Sequence, residues 1–240
     1  MGAAVARLAS EGGAVAVVAG VDLRGGTADY PIFTQISDYD GEADVIVDFS
    51  SSDALNELLS YATAHKIPLV LCTTGYSAPQ LDKIRAASSE IPIFRSGNMS
   101  LGVNLLADLV KRTAGFLGRG FDVEVVERHH RTKLDAPSGT ALMLADAAAE
   151  AFAETPDYVF DRSARREVRP VNEIGISAVR GGTIVGEHSV IFAGNDEIIE
   201  LRHVAYSREV FAAGALRAAA YFAAPRQAGM YDMSDVLAET

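Results

Sequence analysis

Short apolar runs alternate with longer amphipathic stretches through the first hundred residues. The runs "AVAVVAGVD", "ADVIVDFS", "IPLVLCTTG" and "IPIFRSG" predict strands, at residues 14–22, 43–50, 67–75 and 91–97. Strands covered on both faces of a parallel sheet are apolar almost throughout, as these are. Residues 52–66 and 78–90 repeat apolar positions at helical spacing and open with Ser, Asp or Pro, which favours helices. Strands alternating with helices predict an α/β domain with a doubly wound parallel sheet.

The pattern changes after about residue 118. A helical stretch over 101–118 leads into a strand at 121–127, and a second apolar helix is expected over 139–154. Three later segments alternate polar and apolar residues and predict strands of an antiparallel sheet, at 173–180, 182–194 and 196–207. Gly-Gly at 181–182 and Gly-Asn-Asp at 194–196 are hairpin signals between them. This half is therefore expected to form a second α+β domain on a mixed or antiparallel sheet.

Two further segments fix the domain bounds. Residues 157–172 are polar and without periodicity, which is typical of a surface loop. Residues 210–225 form an apolar helix that we expect to return to the first domain. The sequence thus predicts one domain from residues 1–97 plus 208–240 and another from residues 98–207.

Charge and composition exclude several partners. The 240 residues contain 21 Lys and Arg against 32 Asp and Glu, a formal net charge of -11, which disfavours nucleic acid as a partner. No apolar run approaches the length of a membrane span, so we expect no membrane partner. No secretory signal is evident, and a cytoplasmic location is expected. No spacing of His, Cys, Asp or Glu resembles a metal site, and the single cysteine, Cys72, reads as a small buried thiol.

The positive charge of this acidic chain is concentrated in "ERHHRTKLDAPSGT", residues 127–140. His129, His130 and Lys133 lie there, just ahead of Ser138, Gly139 and Thr140 at the predicted start of a helix. Free amides and the dipole at a helix start bind anionic oxygens, so the segment suits a carboxylate or a phosphate. His129 and Lys133 are candidate proton carriers. Arg128 and Arg131 are either solvated charges or outer electrostatic contributors.

Small polar residues end the predicted strands of the first domain. They read "GVD" at 20–22, "DFS" at 48–50, "CTTG" at 72–75 and "SGNM" at 96–99. In doubly wound sheets, ligands lie beyond the carboxyl ends of the strands, so a nucleotide could lie across these residues. Asp22 has the position of the acidic residue that binds an adenosine ribose.

These residues resemble a known family. "VEVVERHHRTKLDAPSGTAL" resembles the signature E-x-H-H-x-x-K-x-D-x-P-S-G-T-A of the 4-hydroxy-tetrahydrodipicolinate reductase (dihydrodipicolinate reductase) family. Further segments resemble the family in the same order across nearly the whole chain: "DFS", "TTG", "SGNMSLGVNLL", "RGGTIVGEHSVIFAG", "ELRHVAYSREVFAAGALRAA" and "GMYDMSDVL".

The resemblance implies an NADH- or NADPH-dependent reduction in lysine and diaminopimelate biosynthesis. The small dicarboxylate substrate loses its 4-hydroxyl as water, and hydride reaches C4 of the ring to give tetrahydrodipicolinate. His129 matches the family's proton donor and acceptor, and Lys133 its second proton donor. His130 matches a substrate contact, and Ser138 with Gly139 and Thr140 matches the turn that holds a carboxylate.

The resemblance also assigns the first domain to dinucleotide binding, with a Rossmann-like sheet, and the second to substrate binding and assembly as a homotetramer. It implies cofactor contacts from residues along the whole first domain: Gly2, Asp22, Asp48, Phe49, Ser50, Cys72, Thr73, Thr74, Ser96, Gly97, Asn98 and Met99. No arginine follows Asp22 directly, although Arg24 is close, so either NADH or NADPH is expected to serve.

The front of the chain departs from the family pattern. "MGAAVARLAS" corresponds only to the end of the family's glycine-rich loop and the helix after it. About a dozen residues, including a central strand, are expected ahead of it by the resemblance. We hypothesise that Met1 is an internal methionine taken as the start or that the chain is shortened, and we expect weak dinucleotide binding from the 240-residue form.

Two other functions stay open at the level of sequence. A reductase of another small dicarboxylate would keep the same pocket, and a weakly active or inactive ligand-binding oligomer would keep the same fold. Three histidines are interpreted structurally: His65 as a helix-end residue, and His188 and His203 as strand residues facing a polar interior or a subunit contact.

Overall fold

The computed structural model describes residues 1–13, 15–160, 162–163 and 165–239. The chain divides into two compact units. Unit 1 comprises Met1–Ser100 with Glu209–Thr240, and unit 2 comprises Leu101–Arg208. The divisions fall where helices begin, after Ser100 and at Glu209.

The strands of unit 1 are short. They are β1 (Gly20–Val21), β2 (Ile32–Phe33), β3 (Ile46–Asp48), β4 (Leu69–Leu71), β5 (Pro92–Arg95) and, later in the chain, β11 (Gly229–Tyr231). Its helices are α1 (Gly2–Gly12), α2 (Leu55–His65), α3 (Ala78–Ala87), α6 (Glu209–Tyr221) and α7 (Met233–Ala238). α3 begins with a capping box in which Ser77 and Gln80 satisfy each other's backbone amides.

Four strands of unit 1 form one parallel sheet in the order β11-β5-β4-β3. β1 and β2 pair separately as a two-stranded parallel sheet. Leu69, Val70, Leu71 and Ile93 are fully enclosed, which confirms the apolar strands of a doubly wound sheet.

The predicted strand at 14–22 is wrong over most of its length. Its first residue, Ala14, lies outside the described residues, and of the rest only Gly20–Val21 pairs with another strand. A strand needs a ladder partner for its backbone N–H and C=O groups, and β2 supplies one for two residues only. β2 and β11, which have few residues and little periodicity, went unpredicted.

Unit 2 is built on one five-stranded sheet. Its strands are β6 (Asp122–His129), β7 (Asp157–Val159), β8 (Glu173–Arg180), β9 (Gly186–Ala193) and β10 (Ile198–Ala205). Helices α4 (Leu101–Leu117) and α5 (Gly139–Ala149) cover one face, where Val125, Leu144, Ile176, Val190 and Phe192 form the core. The polar segment predicted as a loop over 157–172 begins with β7, and its residues 161 and 164 lie outside the described residues.

The strand order β10-β9-β6-β8-β7 makes this sheet mixed. β6 runs parallel to β8 and antiparallel to β9, so Val125 lies between Ile176 and Val190. The prediction that Gly181–Gly182 joins two paired strands is therefore wrong, since β6 separates β8 from β9. The hairpin between β9 and β10 is confirmed, with the Gly194 amide donating to the Glu197 carbonyl at 2.9 Å. Across the described residues no helix has the length and hydropathy that a bilayer crossing requires.

Candidate active site

Side chains of the basic segment that lie on strand β6 point alternately to the two faces of the sheet. Glu127 and His129 are two residues apart and lie on the face covered by the helices, where both are buried. Arg128 lies on the other face and pairs with Glu187 at 3.2 Å. Arg128 is therefore a partner of the sheet's outer charges and is separated from His129.

Glu127 is the centre of a buried set of hydrogen bonds. Its side chain is fully enclosed and accepts two bonds from the Arg180 guanidinium, both at 2.7 Å. It also lies 2.6 Å from Nδ1 of His129 and accepts the Ser138 amide at 3.0 Å. Four donors on one carboxylate satisfy its lone pairs, so the side chain is fixed.

The charge of Glu127 is stabilised despite its burial. Burial alone would raise the pKa of Glu127, but the hydrogen bonds from Arg180, His129 and Ser138 together outweigh it and hold the pKa below its ordinary value. An ionised acceptor at Nδ1 requires a proton on that nitrogen, which leaves Nε2 of His129 to exchange a proton with a ligand. The carboxylate thus orients the imidazole for acid–base chemistry.

The glycine opposite His129 gives this imidazole its space. A Cβ on Gly186 would approach Nε2 of His129 to 3.1 Å and Cδ2 to 3.4 Å. A side chain at position 186 would therefore crowd the nitrogen that faces away from Glu127.

Ser138 connects the buried carboxylate to the start of α5. It is the N-cap of the helix, and its hydroxyl accepts the Ala141 amide at 3.1 Å. Its Oγ is also 2.9 Å from Nε2 of His188 on β9. Ser138 is nearly fully enclosed at 2% exposure, whereas Gly139 is exposed and Thr140 half-buried. Gly139 and Thr140 therefore present the first turn to a ligand, and Ser138 anchors it.

The loop between His129 and Ser138 carries the other predicted residues. Lys133 pairs with Asp135 at 2.8 Å, and this hydrogen bond lowers the pKa of Asp135. His130 contacts the Thr132 hydroxyl through Nδ1 at 2.7 Å. Arg180 also donates to the Asp135 carbonyl at 2.6 Å, so one guanidinium holds both the strand and the loop.

A pocket of about 450 Å³ opens beside this loop within unit 2. It is lined by residues of the loop, the β8–β9 connection and the end of the unit: His130, Arg131, Thr132, Gly182, Thr183, Val185 and Arg208. Its two arginines and one histidine suit an anion.

The predicted cofactor residues of unit 1 lie mainly at one edge of the four-stranded sheet. Asp48, Leu71 and Arg95 are in register, so the segments 48–50, 72–74 and 96–99 follow the carboxyl ends of three adjacent parallel strands. Ser50, Thr74 and Gly97 are exposed there, while Phe49, Thr73, Ser96 and Asn98 are half-buried and Met99 is buried. Hydroxyl and amide groups at such an edge fit a dinucleotide.

Asp48 organises this edge. Its carboxylate accepts the Ser50 amide at 2.9 Å and the Tyr76 hydroxyl at 3.4 Å, and its carbonyl accepts the Cys72 amide. Burial, with Asp48 nearby, raises the pKa of the Cys72 thiol, so this cysteine is held protonated.

Two predicted cofactor residues lie elsewhere in unit 1. Asp22 follows β1 in the separate two-stranded sheet, is exposed, and accepts the Arg24 amide at 2.9 Å. Gly2 is the exposed first residue of α1. An acidic side chain at a strand end and an amide at a helix start both suit parts of a dinucleotide.

The sequence predicted no part in the chemistry for Glu127, Arg180 or His188, and His188 was expected only to face a polar interior or a subunit contact. Arg180 and His188 are 53 and 61 residues from Glu127 along the chain, and the sheet register brings them together. One signal in the sequence could have pointed to Glu127. It is a charged residue at a position of the predicted strand where the alternation expects an apolar side chain. His65 ends α2 as expected, with its ring stacked on Tyr61 at 4.1 Å. Among the described residues no cluster of His, Cys, Asp and Glu could hold a metal ion.

Comparison with known proteins places this geometry in a family. The models "Dihydrodipicolinate reductase, N-terminus" and "Dihydrodipicolinate reductase, C-terminus" match residues 1–99 and 102–237. The 4-hydroxy-tetrahydrodipicolinate reductase of Caldanaerobacter subterraneus subsp. tengcongensis is 51% identical over 99% of this chain and 94% of its own length. That of Clostridium novyi is 50% identical over 93% of this chain and 88% of its own.

Solved structures confirm the fold. A dipicolinate-bound dihydrodipicolinate reductase from Paenisporosarcina sp. TG-14 superposes with a TM-score of 0.69 over 90% of this chain and 87% of that one, at 23% identity. A probable dehydrogenase from Thermotoga maritima gives a TM-score of 0.62 at 11% identity over 98% of this chain and 89% of its own. The chain therefore belongs to the dihydrodipicolinate reductase family and is an oxidoreductase of lysine and diaminopimelate biosynthesis that uses NADH or NADPH to reduce 4-hydroxy-tetrahydrodipicolinate.

Proposed function

We propose that residues 127–140 form the substrate site of this reduction, with one carboxylate of the substrate on the exposed first turn of α5. The observation that carries the proposal is the fixed set joining Glu127, His129 and Ser138, because it links a proton carrier to a helix start. The amides of Gly139 and Thr140 bind the carboxylate together with the Thr140 hydroxyl. A bound dipicolinate in the related Paenisporosarcina reductase supports a planar dicarboxylate as the ligand class.

His129 and Lys133 handle protons in this proposal. His129, held through Nδ1 by Glu127, donates or accepts a proton at Nε2. Lys133 supplies a second proton and a positive charge to the ring, and moves from its pairing with Asp135 to do so. His130 contacts the substrate from the loop. The cofactor supplies the hydride when bound, and residues 48–50, 72–74 and 96–99 with Asp22 and Gly2 hold it.

Activity measurements with matched variants test these roles. NADH or NADPH oxidation is followed with freshly made 4-hydroxy-tetrahydrodipicolinate for the wild type, His129→Gln and Lys133→Met. We expect kcat to fall by a factor of about 100 or more in each variant, as when a general acid or base is removed. Arg128→Met is the control, since Arg128 neighbours His129 in sequence but pairs on the opposite face. Wild-type kcat in the first two variants would refute the roles.

The face of the five-stranded sheet opposite α4 and α5 is our candidate surface for the homotetramer that the family resemblance implies. Arg128, Glu187 and Arg202 form a charged row there, and Val179 and Ile198 are exposed. Light scattering on purified protein should give four times the mass of one chain, and a single-chain mass would refute the tetramer. The same resemblance is the basis for proposing a cytoplasmic location.

A further inference from the structure

His188 lies beside the proposed site, and no step of the proposed reaction uses it. It is on β9, directly opposite Glu127 on β6, and only 4% of it is exposed. Its ring meets that of His129 edge to face with centroids 5.1 Å apart. His188 is therefore buried in contact with both His129 and the helix cap, Ser138, and its hydrogen bonds indicate what it does there.

Ser138 is held from two strands at once. Glu127 on β6 accepts its backbone amide at 3.0 Å, and His188 on β9 meets its hydroxyl at 2.9 Å. The same hydroxyl accepts the Ala141 amide at 3.1 Å. The position of the first turn of α5 relative to the sheet therefore depends on both Glu127 and His188.

The hydroxyl hydrogen can be assigned by counting donors and acceptors. A serine hydroxyl has one hydrogen and two lone pairs, and Ala141 occupies one lone pair. If Ser138 donated to Nε2 of His188, the ring proton would be on Nδ1, which is enclosed without a hydrogen-bond partner among the described residues. A buried N–H without an acceptor is rarer than a bare acceptor atom. When a ligand carboxylate accepts the serine hydrogen, a proton on Nε2 leaves only the bare Nδ1 acceptor unpaired, so in that state His188 donates to Ser138.

We propose that His188 is a positioning residue, which donates from Nε2 to the Ser138 hydroxyl and so commits the serine hydrogen to the substrate carboxylate. With both lone pairs of Oγ occupied by His188 and Ala141, the hydroxyl acts only as a donor. A carboxylate on the first turn of α5 supplies the acceptor that this hydrogen lacks. The inference rests on the proposed carboxylate site at Gly139 and Thr140.

The neutral state of the ring agrees with this role. Burial, followed by the charge of His129, lowers the pKa of His188 to about 4. At neutral pH the His188 ring therefore carries a single proton. In the proposed arrangement this proton is on Nε2, the nitrogen that faces the Ser138 hydroxyl.

Calorimetric titration with dipicolinate tests the proposal on the full chain without a turnover assay. His188→Phe keeps the ring and removes the donor, and we expect dipicolinate to bind about 10- to 100-fold more weakly, as for a lost hydrogen bond to a charged group. His188→Gln places an amide N–H near the position of Nε2 and should bind within about threefold of the wild type. His203→Phe is the matched control because His203 lies directly opposite His188 on β10, whereas Ser138 bonds to Glu127, His188 and Ala141.

A double-mutant comparison identifies the route of the effect. Ser138→Ala should weaken dipicolinate binding by a similar factor, and His188→Phe should add little to it, because His188 acts through that hydroxyl. Additive losses, or wild-type affinity in either Ser138→Ala or His188→Phe, would overturn the proposal. Equal weakening in the Phe and Gln variants of His188 would overturn the donor role. A wild-type chain that does not bind dipicolinate would instead remove the carboxylate site itself.

Discussion

At the scale of single residues, Glu127 determines what the basic segment can do. The segment contains many cations, yet one enclosed carboxylate receives Arg180, His129 and the Ser138 amide. The donors come from the ends of β8 and β6 and from the N-cap of α5, so a single side chain fixes two strand ends and a helix start. The imidazole of His129 is therefore oriented before any ligand arrives.

Replacing Glu127 by Gln should uncouple these parts. Gln keeps the size but loses the charge and presents an NH₂ group to donors, so we expect kcat to fall about 10- to 100-fold with KM changed less than threefold. Steady-state NADH or NADPH oxidation measures both constants. Glu124→Gln, on the opposite face of the same strand and paired with Arg162 and Arg169, is the control. Unchanged kcat in Glu127→Gln would show that His129 needs no orienting carboxylate.

The sequence allowed part of this site to be predicted. His129, Lys133 and the Ser-Gly-Thr turn are contiguous, so a motif was enough to group them. Arg180 and His188 join them only through pairing across the sheet, which no local pattern encodes. The sequence left Arg128 as either a solvated charge or an outer electrostatic contributor, and the structure pairs it with Glu187 on the face opposite His129.

At the scale of elements, α6 packs so closely on the segment ahead of α4 that one of its positions must be glycine. A Cβ on Gly214 would lie 1.7 Å from the carbonyl oxygen of Met99, which belongs to the segment 96–99 at the cofactor edge. Backbone at that distance cannot yield as a flexible side chain can, so the helix or the segment must move.

Gly214→Ala should therefore destabilise the chain despite the higher helix propensity of alanine. Overpacking of this kind costs about 1–3 kcal/mol, equivalent to a decrease in Tm of roughly 2–12 °C for a chain of this size. Gly115→Ala in α4 is the matched control, since its Cβ would meet Ala151 at an ordinary 3.8 Å. Thermal unfolding should place the control at or above the wild type. A Gly214→Ala protein as stable as Gly115→Ala would contradict the packing argument.

Strand order is the element-level feature that sequence predicted least well. The alternation in β8, β9 and β10 identifies strands but does not say which pairs with which. β6 lies between β8 and β9, where its apolar side chains on the core face, Val123 and Val125, are enclosed beside Ile174 and Val190. The resulting mixed sheet brings Glu127, His188 and Arg180 into one neighbourhood.

At the scale of the whole molecule, a neutral buried histidine links stability to pH. The folded pKa of His188 is about 4, below the ordinary value of 6.5, so the unfolded chain binds this proton first as pH falls. Its contribution to stability is therefore fully present above pH 6.5 and is lost as pH falls from 6.5 towards 4. The size is up to about 3 kcal/mol.

The pH dependence of Tm checks this linkage. The wild type should lose more stability between pH 6.5 and 4.5 than His188→Phe, which has no proton to bind at that position. The charged groups that affect the pKa of His188 remain in both proteins; they are His129, Glu127, His203 and Lys133. The difference between the two curves therefore reports the titration of the His188 ring. Parallel curves would show that His188 titrates alike in the folded and unfolded chains.

The proposed reaction requires a small dianion to be held where β6 passes into α5. A crystal structure of the chain with dipicolinate measures this directly. We predict one carboxylate within hydrogen-bond distance of the Gly139 and Thr140 amides, with Lys133 turned from Asp135 towards the ligand and the Glu127–His129 contact intact. Dipicolinate bound elsewhere, or His129 detached from Glu127 and facing solvent, would contradict the account.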